Sequence, residues 1–277
     1  MDFGLLHPGE MGAGFGLVLK NAGHKVVWLP EGRSEESISR ATTAQLEPVA
    51  TLDEMLQQSD VVLSICPPHA AIDVARQVAG AETAFEGIYL DANAISPATA
   101  ETVSSIVRAR GARYVDGGII GTPPPKEGTR LYLSGSSAHE VAQRCYDVSL
   151  EIAVLNETET SASALKMAYA AWSKGTSALL LAIYAVANHY GIDEALTAEW
   201  ERSQPGLPAR SNVSARSALA KGWRWSSEME EIAATFATAG LPEGFGKGAA
   251  EVYRRVPRNT PQGDASDLKQ VLDDLAR

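Results

Sequence analysis

Cysteine is almost missing from this chain: two residues in 277, Cys66 and Cys145, far apart and without CxxC spacing. That excludes a disulfide framework and leaves no thiolate zinc site. Histidine is scarce too, with five residues, and His24, His69 and His189 fall at neither triad nor metal-ligand spacing, so no metal site is expected. Positive charge is in deficit, with 24 Lys and Arg against 34 Asp and Glu for a formal net charge of -10. Such a chain has no general basic face to displace the counterions of nucleic acid or of an anionic lipid surface, so any anionic ligand must be held by local groups. No uninterrupted apolar run reaches the roughly 20 residues that span a bilayer. The opening "MDFGLL" has no basic leader-like start, and internal repeats and low-complexity tracts are lacking. These absences predict a soluble, cytoplasmic chain whose partner is a small molecule, not nucleic acid or membrane.

What is present is an alternation. Short apolar runs at 2–6, "KVVWL", "DVVLSIC", "GIYLDAN", "RYVDGGI", "TRLYLSG" and "EIAVLNE" read as strands, and between them stand helical patterns such as "HAAIDVARQVAG" and "PATAETVSSIVRARG". Strand alternating with helix predicts a mostly parallel α/β sheet covered on both faces, with ligands beyond the carboxyl ends of the strands. "GTPPPKEG", flanked by strands, reads as a stiff loop. From about Ser161 strand signals cease, and 161–191 offers one long helix of about 45 Å. The expected organisation is a domain over 1–160 and an all-helical domain over 161–277, joined by that helix, with breaks at "SQPGLPAR", "GLPEGFG" and "RNTPQGD".

The first strand runs into "GLLHPGEMG", most of a dinucleotide-binding turn with His7 and Pro8 where the first tight-turn glycine usually sits. Gly9 lets the backbone approach a pyrophosphate, Gly12 allows close helix packing, and the helix opening at Glu10 and Met11 supplies unpaired N–H groups and a positive dipole end. Pro8 suits the turn because its φ is fixed and it has no N–H to satisfy. The second strand ends in "WLPEGRSEES", which carries both an acid, Glu31, and the pair Arg33 and Ser34. A guanidinium and a hydroxyl there suit the extra phosphate of NADP, so NADPH is favoured, with NAD the alternative that Glu31 leaves open.

Taken in order, "GLLHPGEMG", "VVLSICPP", "LDANAISP", "VDGGIIGTPP", "ASALKMAYAAWSKGTSALLLA" and "EMEEIA" resemble the 6-phosphogluconate dehydrogenase-like, or β-hydroxyacid dehydrogenase, superfamily, in the branch whose C-terminal domain is of the DUF1932 type. The resemblance covers nearly the whole chain. It implies a Rossmann-type doubly wound domain, a helical domain that makes a homodimer, and hydride exchange between a nicotinamide and a small substrate. It places Cys66, Pro67 and Pro68 along the cofactor, Asn93 near nicotinamide and substrate, and Gly118, Ile120, Gly121 and Thr122 in the substrate-carboxylate loop. It makes Lys166 the catalytic lysine. The chain departs from the pattern at Asn93 and Ala94 (for Ser and Thr), at Ile120 and Thr122 (for Ser and Gly), at Ala170 (for Asn), and at Glu228 and Glu231, where hydroxyacid enzymes carry a Lys-Asp pair.

On a helix, Lys166, Tyr169 and Ser173 share one stripe, while Lys174 is turned about 80° away. The stripe is expected to face a cleft beside the nucleotide domain. A positioned lysine can take the proton an alcohol loses with its hydride, or return it to a forming alkoxide. The roles expected are Lys166 as general acid/base, Asn93 as substrate-orienting partner, Tyr169 as a secondary polar contact, and Ser173 and Glu228 as substrate contacts. Three functions stand open: an NAD(P)-dependent oxidoreductase of a small alcohol or carbonyl, a reductase of C=N bonds, and a nucleotide-binding sensor without catalysis.

Overall fold

A computed structural model describes residues 1–145 and 147–256 together with Leu272 and Leu275. The "RNTPQGD" break and most of the stretch to Arg277 lie outside the described residues. The chain separates into two compact units, Met1–Met167 and Ala168–Arg277.

The first unit alternates as the sequence alternates: β1 (Asp2–Leu5), α1 (Glu10–Asn21), β2 (Lys25–Trp28), α2 (Glu35–Thr43), β3 (Glu47–Pro48), α3 (Leu52–Gln57), β4 (Val61–Ser64), α4 (Ala71–Ala79), β5 (Ile88–Asp91), α5 (Pro97–Arg108), β6 (Arg113–Ile120), β7 (Arg130–Ser134), α6 (Ala138–Arg144) and β8 (Glu151–Val154). They form one eight-stranded sheet in the order β3-β2-β1-β4-β5-β6-β7-β8, in which only β6 and β7 run antiparallel. The fold is Rossmann-type. The order reverses between β1 and β4, and the carboxyl ends of those strands are where such a sheet leaves a crevice.

Two cores form because successive strand side chains point to opposite faces. Phe3, Leu5, Val61, Leu63, Ile88, Leu90 and Val115 join α1 and α6 on one face. Val62, Tyr89 and Tyr114 join α3, α4 and α5 on the other. Both faces of the central strands are apolar, as a covered parallel sheet requires. Two elements, α2 and β3, are not among those expected from the sequence. Only Ala41 of α2 is buried, so the helix has no apolar stripe; its start is marked instead by Ser34, whose Oγ accepts from the Ser37 N–H at 3.3 Å.

A 30-residue helix, α7 (Ser161–Tyr190), begins in the first unit and continues into the second. By length and composition it could cross a membrane, with a mean hydropathy of 1.2 over its most apolar 18 residues, a third of which (33%) are buried. Uninterrupted runs miss this because Lys166, Ser173, Lys174 and Ser177 punctuate the helix. The rest of the second unit is helical where described: α8 (Asp193–Ser203), α9 (Leu207–Thr238) and α10 (Gly244–Arg255). Gly206, at φ 87°, turns the chain between α8 and α9, within the "SQPGLPAR" break.

Candidate active site

The turn between β1 and α1 leaves the start of the helix open. Gly9 caps α1 without a side-chain hydrogen bond, and a Cβ placed on it would meet nothing within 4 Å, so the first-turn N–H groups face open space. Gly12 is obligatory for a different reason: its Cβ would overlap the His7 carbonyl oxygen and lie 3.6 Å from Leu5 Cδ1 of β1. Glu10 stands exposed in the first turn, Pro8 is buried, and Met11 packs on the core.

His7 and Arg33 lie close enough to interact electrostatically, one from each of the first two strand ends. Burial first, and the guanidinium second, push the His7 imidazole down to about 4, so it is neutral at physiological pH. Its Nδ1 and the Arg33 Nε are both buried without a hydrogen-bond partner among the described residues. Two orphaned nitrogens beside an uncapped helix start fit a phosphorylated dinucleotide. Ser34, expected beside them, spends its oxygen capping α2 and its hydroxyl proton on Ser37 Oγ at 3.2 Å.

Cys66 joins this cluster, with Arg33 in electrostatic range, but its thiol is pushed up to about 12, chiefly by burial, so it is no nucleophile. Its backbone is fixed by Asn93, whose Oδ1 accepts the Cys66 N–H at 2.6 Å while Nδ2 donates to Ser64 Oγ at 3.0 Å. Asn93 is 2% exposed and its own N–H donates to Asp91 Oδ1 at 3.0 Å. Its side chain therefore ties the Cys66–Pro67–Pro68 loop to β4 and β5.

Asn93 belongs to a feature that motif reading did not single out. Ser64, Asp91, Asp116 and Ser134 are consecutive cross-strand partners on β4, β5, β6 and β7, a buried polar row along the carboxyl edge of the sheet. Burial is the main cause that pushes Asp91 up to about 7 and Asp116 up to about 6. The signal was present in the sequence: "GIYLD" closes an apolar strand with an acid, and "RYVD" sets one within the apolar run of β6.

The far end of the row holds the first turn of α7. Asp116 Oδ2 accepts the Ser163 N–H at 2.8 Å and the Ser134 hydroxyl at 3.1 Å, and its Oδ1 accepts the Ser163 hydroxyl at 2.5 Å. Ser134 Oγ in turn accepts the Ala162 N–H at 2.9 Å. α7 then lies directly on β6. A Cβ on Gly118 would come within 2.6 Å of the Ala162 carbonyl oxygen and 3.3 Å of Lys166 Cβ. The lysine and Gly118 are thus neighbours, and Gly118 and Ile120, expected in a loop, lie within β6.

Beyond Gly118, Ile120 is buried, and Gly121 and Thr122 are exposed at the start of the 121–128 loop. That loop folds back on α1, where a Cβ on Gly14 would strike the Pro124 carbonyl oxygen. So the first unit brings Lys166, Gly118 and the 121–128 loop to the carboxyl edge that also carries the glycine turn and the Cys66 loop.

In the second unit, Tyr169 is half exposed, and Ser173 donates its hydroxyl to the Tyr169 carbonyl at 3.2 Å. Glu228 is buried against Lys174 in an ion pair, and Lys174 Nζ also lies 5.6 Å from the Trp225 ring centre. Glu228 Oε1 has no partner among the described residues.

Residues 2–154, more than half of the chain, match the NAD binding domain of 6-phosphogluconate dehydrogenase, and residues 187–256 match a domain of unknown function, DUF1932. An uncharacterized 28.5 kDa protein of Methanothermus fervidus is 30% identical over 167 residues, 60% of this chain and 63% of its own. Mitochondrial 3-hydroxyisobutyrate dehydrogenase of Drosophila melanogaster is 25% identical over 143 residues, 50% of this chain and 43% of its own. The chain thus spans less than two thirds of the length of these curated relatives.

A conserved protein of unknown function, described as structurally similar to 3-hydroxyacid dehydrogenases, superposes with a TM-score of 0.70 at 26% identity over 92% of this chain and 96% of its own. Mycobacterium tuberculosis 3-hydroxyisobutyrate dehydrogenase, solved with L-serine, superposes at 0.71 with 16% identity over 100% and 99% of the two chains. An Aspergillus terreus reductive aminase, in complex with NADPH4, cyclohexanone and allyl amine, superposes at 0.58 with 18% identity over 98% of each. These last two share the fold. By its sequence match over more than half of its length, the chain belongs to the family of the NAD binding domain of 6-phosphogluconate dehydrogenase, joined here to a DUF1932 domain.

Proposed function

We propose that this protein is an NAD(P)-dependent oxidoreductase that moves a hydride between a nicotinamide cofactor, NADPH by preference, and a small alcohol or carbonyl compound, with Lys166 as the proton carrier. The observation that carries this reading is the seating of Lys166 against Gly118 at the sheet edge that also holds the uncapped glycine turn. The cofactor, when bound, supplies the hydride chemistry. In oxidation, Lys166 Nζ takes the hydroxyl proton as the hydride leaves the carbinol carbon; in reduction it returns that proton to the forming alkoxide. The preference for NADPH rests on the orphaned nitrogens of His7 and Arg33. The backbone N–H groups at the start of α1 would hold the pyrophosphate. Asn93 fixes the Cys66 loop along the cofactor, and Gly118 to Thr122 line the substrate side.

Reduction of a C=N bond is the second reading. It is motivated by Glu228 and Glu231, which stand where hydroxyacid enzymes carry a Lys-Asp pair, and by Ile120 in place of the carboxylate-loop serine. A homodimer through the helical unit fits Leu179, Val186 and Tyr190 of α7, which are 59%, 55% and 71% exposed. Light scattering should then give twice the chain mass.

Thermal shift with NADPH, NADP, NADH and NAD at millimolar ligand tests the cofactor, and no stabilisation by any of them defeats both enzymatic readings. Turnover of 3-hydroxyisobutyrate, L-serine, short aldehydes and ketoacids, or cyclic imines, followed by nicotinamide absorbance, then separates alcohol from imine chemistry. A Lys166→Ala protein that binds cofactor and still turns over at the parent rate removes the proton role. Stabilisation by NADPH with no turnover of any class would favour the sensor.

A further inference from the structure

The N-terminal turn of a helix exposes N–H groups that a residue of the helix itself usually satisfies. In α7 the second and third of these, on Ala162 and Ser163, are taken from outside, by Ser134 of β7 and Asp116 of β6. The same carboxylate holds the Ser163 hydroxyl. The helix is therefore pinned to the sheet at two successive residues, which fixes both its rotation and its height, three residues before Lys166. Gly118, two residues after Asp116 on the same strand, is the surface on which that turn rests.

We propose that Asp116 is a positioning residue for Lys166: its carboxylate, with Ser134, sets where the lysine side chain leaves the first turn of α7. The inference rests on Lys166 being the proton carrier. Asn at 116 keeps the size but has one acceptor oxygen in place of two and no charge; with that oxygen on the Ser163 N–H, its amide can meet the Ser163 oxygen only by reversing that bond, the hydroxyl becoming the acceptor. The charge-assisted bonds that hold the turn are replaced by weaker neutral ones, and the turn can shift. A displacement near 1 Å at a reacting group costs on the order of a hundredfold in rate.

The test compares Asp116→Asn, Ser163→Ala and Ser134→Ala with the parent by two readouts. The first, without cofactor, is the 13C-methyl NMR spectrum of the reductively methylated protein, in which the Lys166 signal is identified by its loss in Lys166→Ala. The second is kcat and KM on whichever substrate of the panel is turned over. The expected result for Asp116→Asn is a displaced Lys166 signal with those of Lys20 and Lys174 unmoved. It is accompanied by a fall in kcat of at least tenfold, with KM and the NADPH thermal shift within twofold of the parent. The two serine variants give the same pattern at smaller amplitude, and they decide the matter if Asp116→Asn does not fold. An unmoved Lys166 signal with unchanged kcat overturns the proposal, and so does a general shift of all the lysine signals together with KM. Should Lys166→Ala retain turnover, the proton role fails, while the Lys166 signal in Asp116→Asn still shows whether Asp116 places that side chain.

Discussion

Gly118→Ala adds one methyl group at the point where α7 meets the sheet. The glycine has ordinary backbone angles, so alanine is not strained there; the difficulty is space. Its Cβ would sit 2.6 Å from the Ala162 carbonyl oxygen, and ordinary contact begins at 3.4 Å, so the first turn of α7 has to lift by about 0.8 Å. The obstacle is backbone held by Asp116 and Ser134, and it cannot swing aside as a side-chain end would. Overpacking of this kind costs about 1–3 kcal/mol, or a fall in Tm of roughly 3–10 °C for a unit of this size. Carried to Lys166, whose Cβ would be only 3.3 Å from the new methyl, the same displacement predicts a kcat lower by roughly 30- to 100-fold. The NADPH thermal shift should stay near the parent's, because the glycine turn is untouched. Gly4→Ala is the matched control, since its Cβ would crowd Ser59 Oγ at 2.6 Å and Met55 Cγ at 3.0 Å on β1, away from α7. Differential scanning fluorimetry and steady-state kinetics on both proteins decide the matter. If Gly118→Ala melts lower but keeps the control's kcat, the seating of Lys166 does not govern the chemistry.

Arg33→Ala should weaken NADPH by about 1.5–3 kcal/mol and leave NADH nearly unchanged; titration calorimetry showing equal losses would contradict the phosphate role. Because burial raises Asp91 to about 7, the folded protein keeps a proton there that the unfolded chain releases near its ordinary value of 3.8, so this group's contribution to stability falls as pH rises between those values. Asp91→Asn should therefore flatten the decline in Tm from pH 5 to 8, and an unaltered slope would refute the assignment. His7, lowered to about 4, has the opposite sign: its contribution is complete above the ordinary 6.5 and is lost as pH falls toward 4, so His7→Gln should ease the acid limb of the same curve. Lys174→Met alone leaves Glu228 charged and buried, a loss of about 3 kcal/mol or more, whereas Lys174→Met with Glu228→Leu should recover most of it in urea unfolding; equal losses would show that the pair is not buried in effect.

The alternation of strand and helix was legible because covered parallel strands are apolar on both faces, and a run as short and as apolar as "DVVLSIC" suits a strand buried on both sides. α2 was not, because a helix that buries only Ala41 carries too few apolar residues to mark its inner face. In the site, the glycine turn, Arg33 and Lys166 could be singled out, the first two from chemistry and position, the lysine from its family context. What Asn93 does could not be read. An asparagine after a strand looks the same whether it greets a ligand or, as here, spends its amide on Cys66 and Ser64. The row Ser64, Asp91, Asp116 and Ser134 escaped for a related reason. Its members are distant in sequence and become neighbours only through strand register, which no motif records.

The bare Cα of Gly14 against the Pro124 carbonyl makes α1 and the 121–128 loop mechanically one object. Whatever tightens the start of that helix is felt at the loop, and whatever presses on the loop is returned to the helix by the same amount of free energy. If the helix start holds the dinucleotide and the loop meets the substrate, as proposed, any factor by which one changes the other's affinity is returned in equal measure.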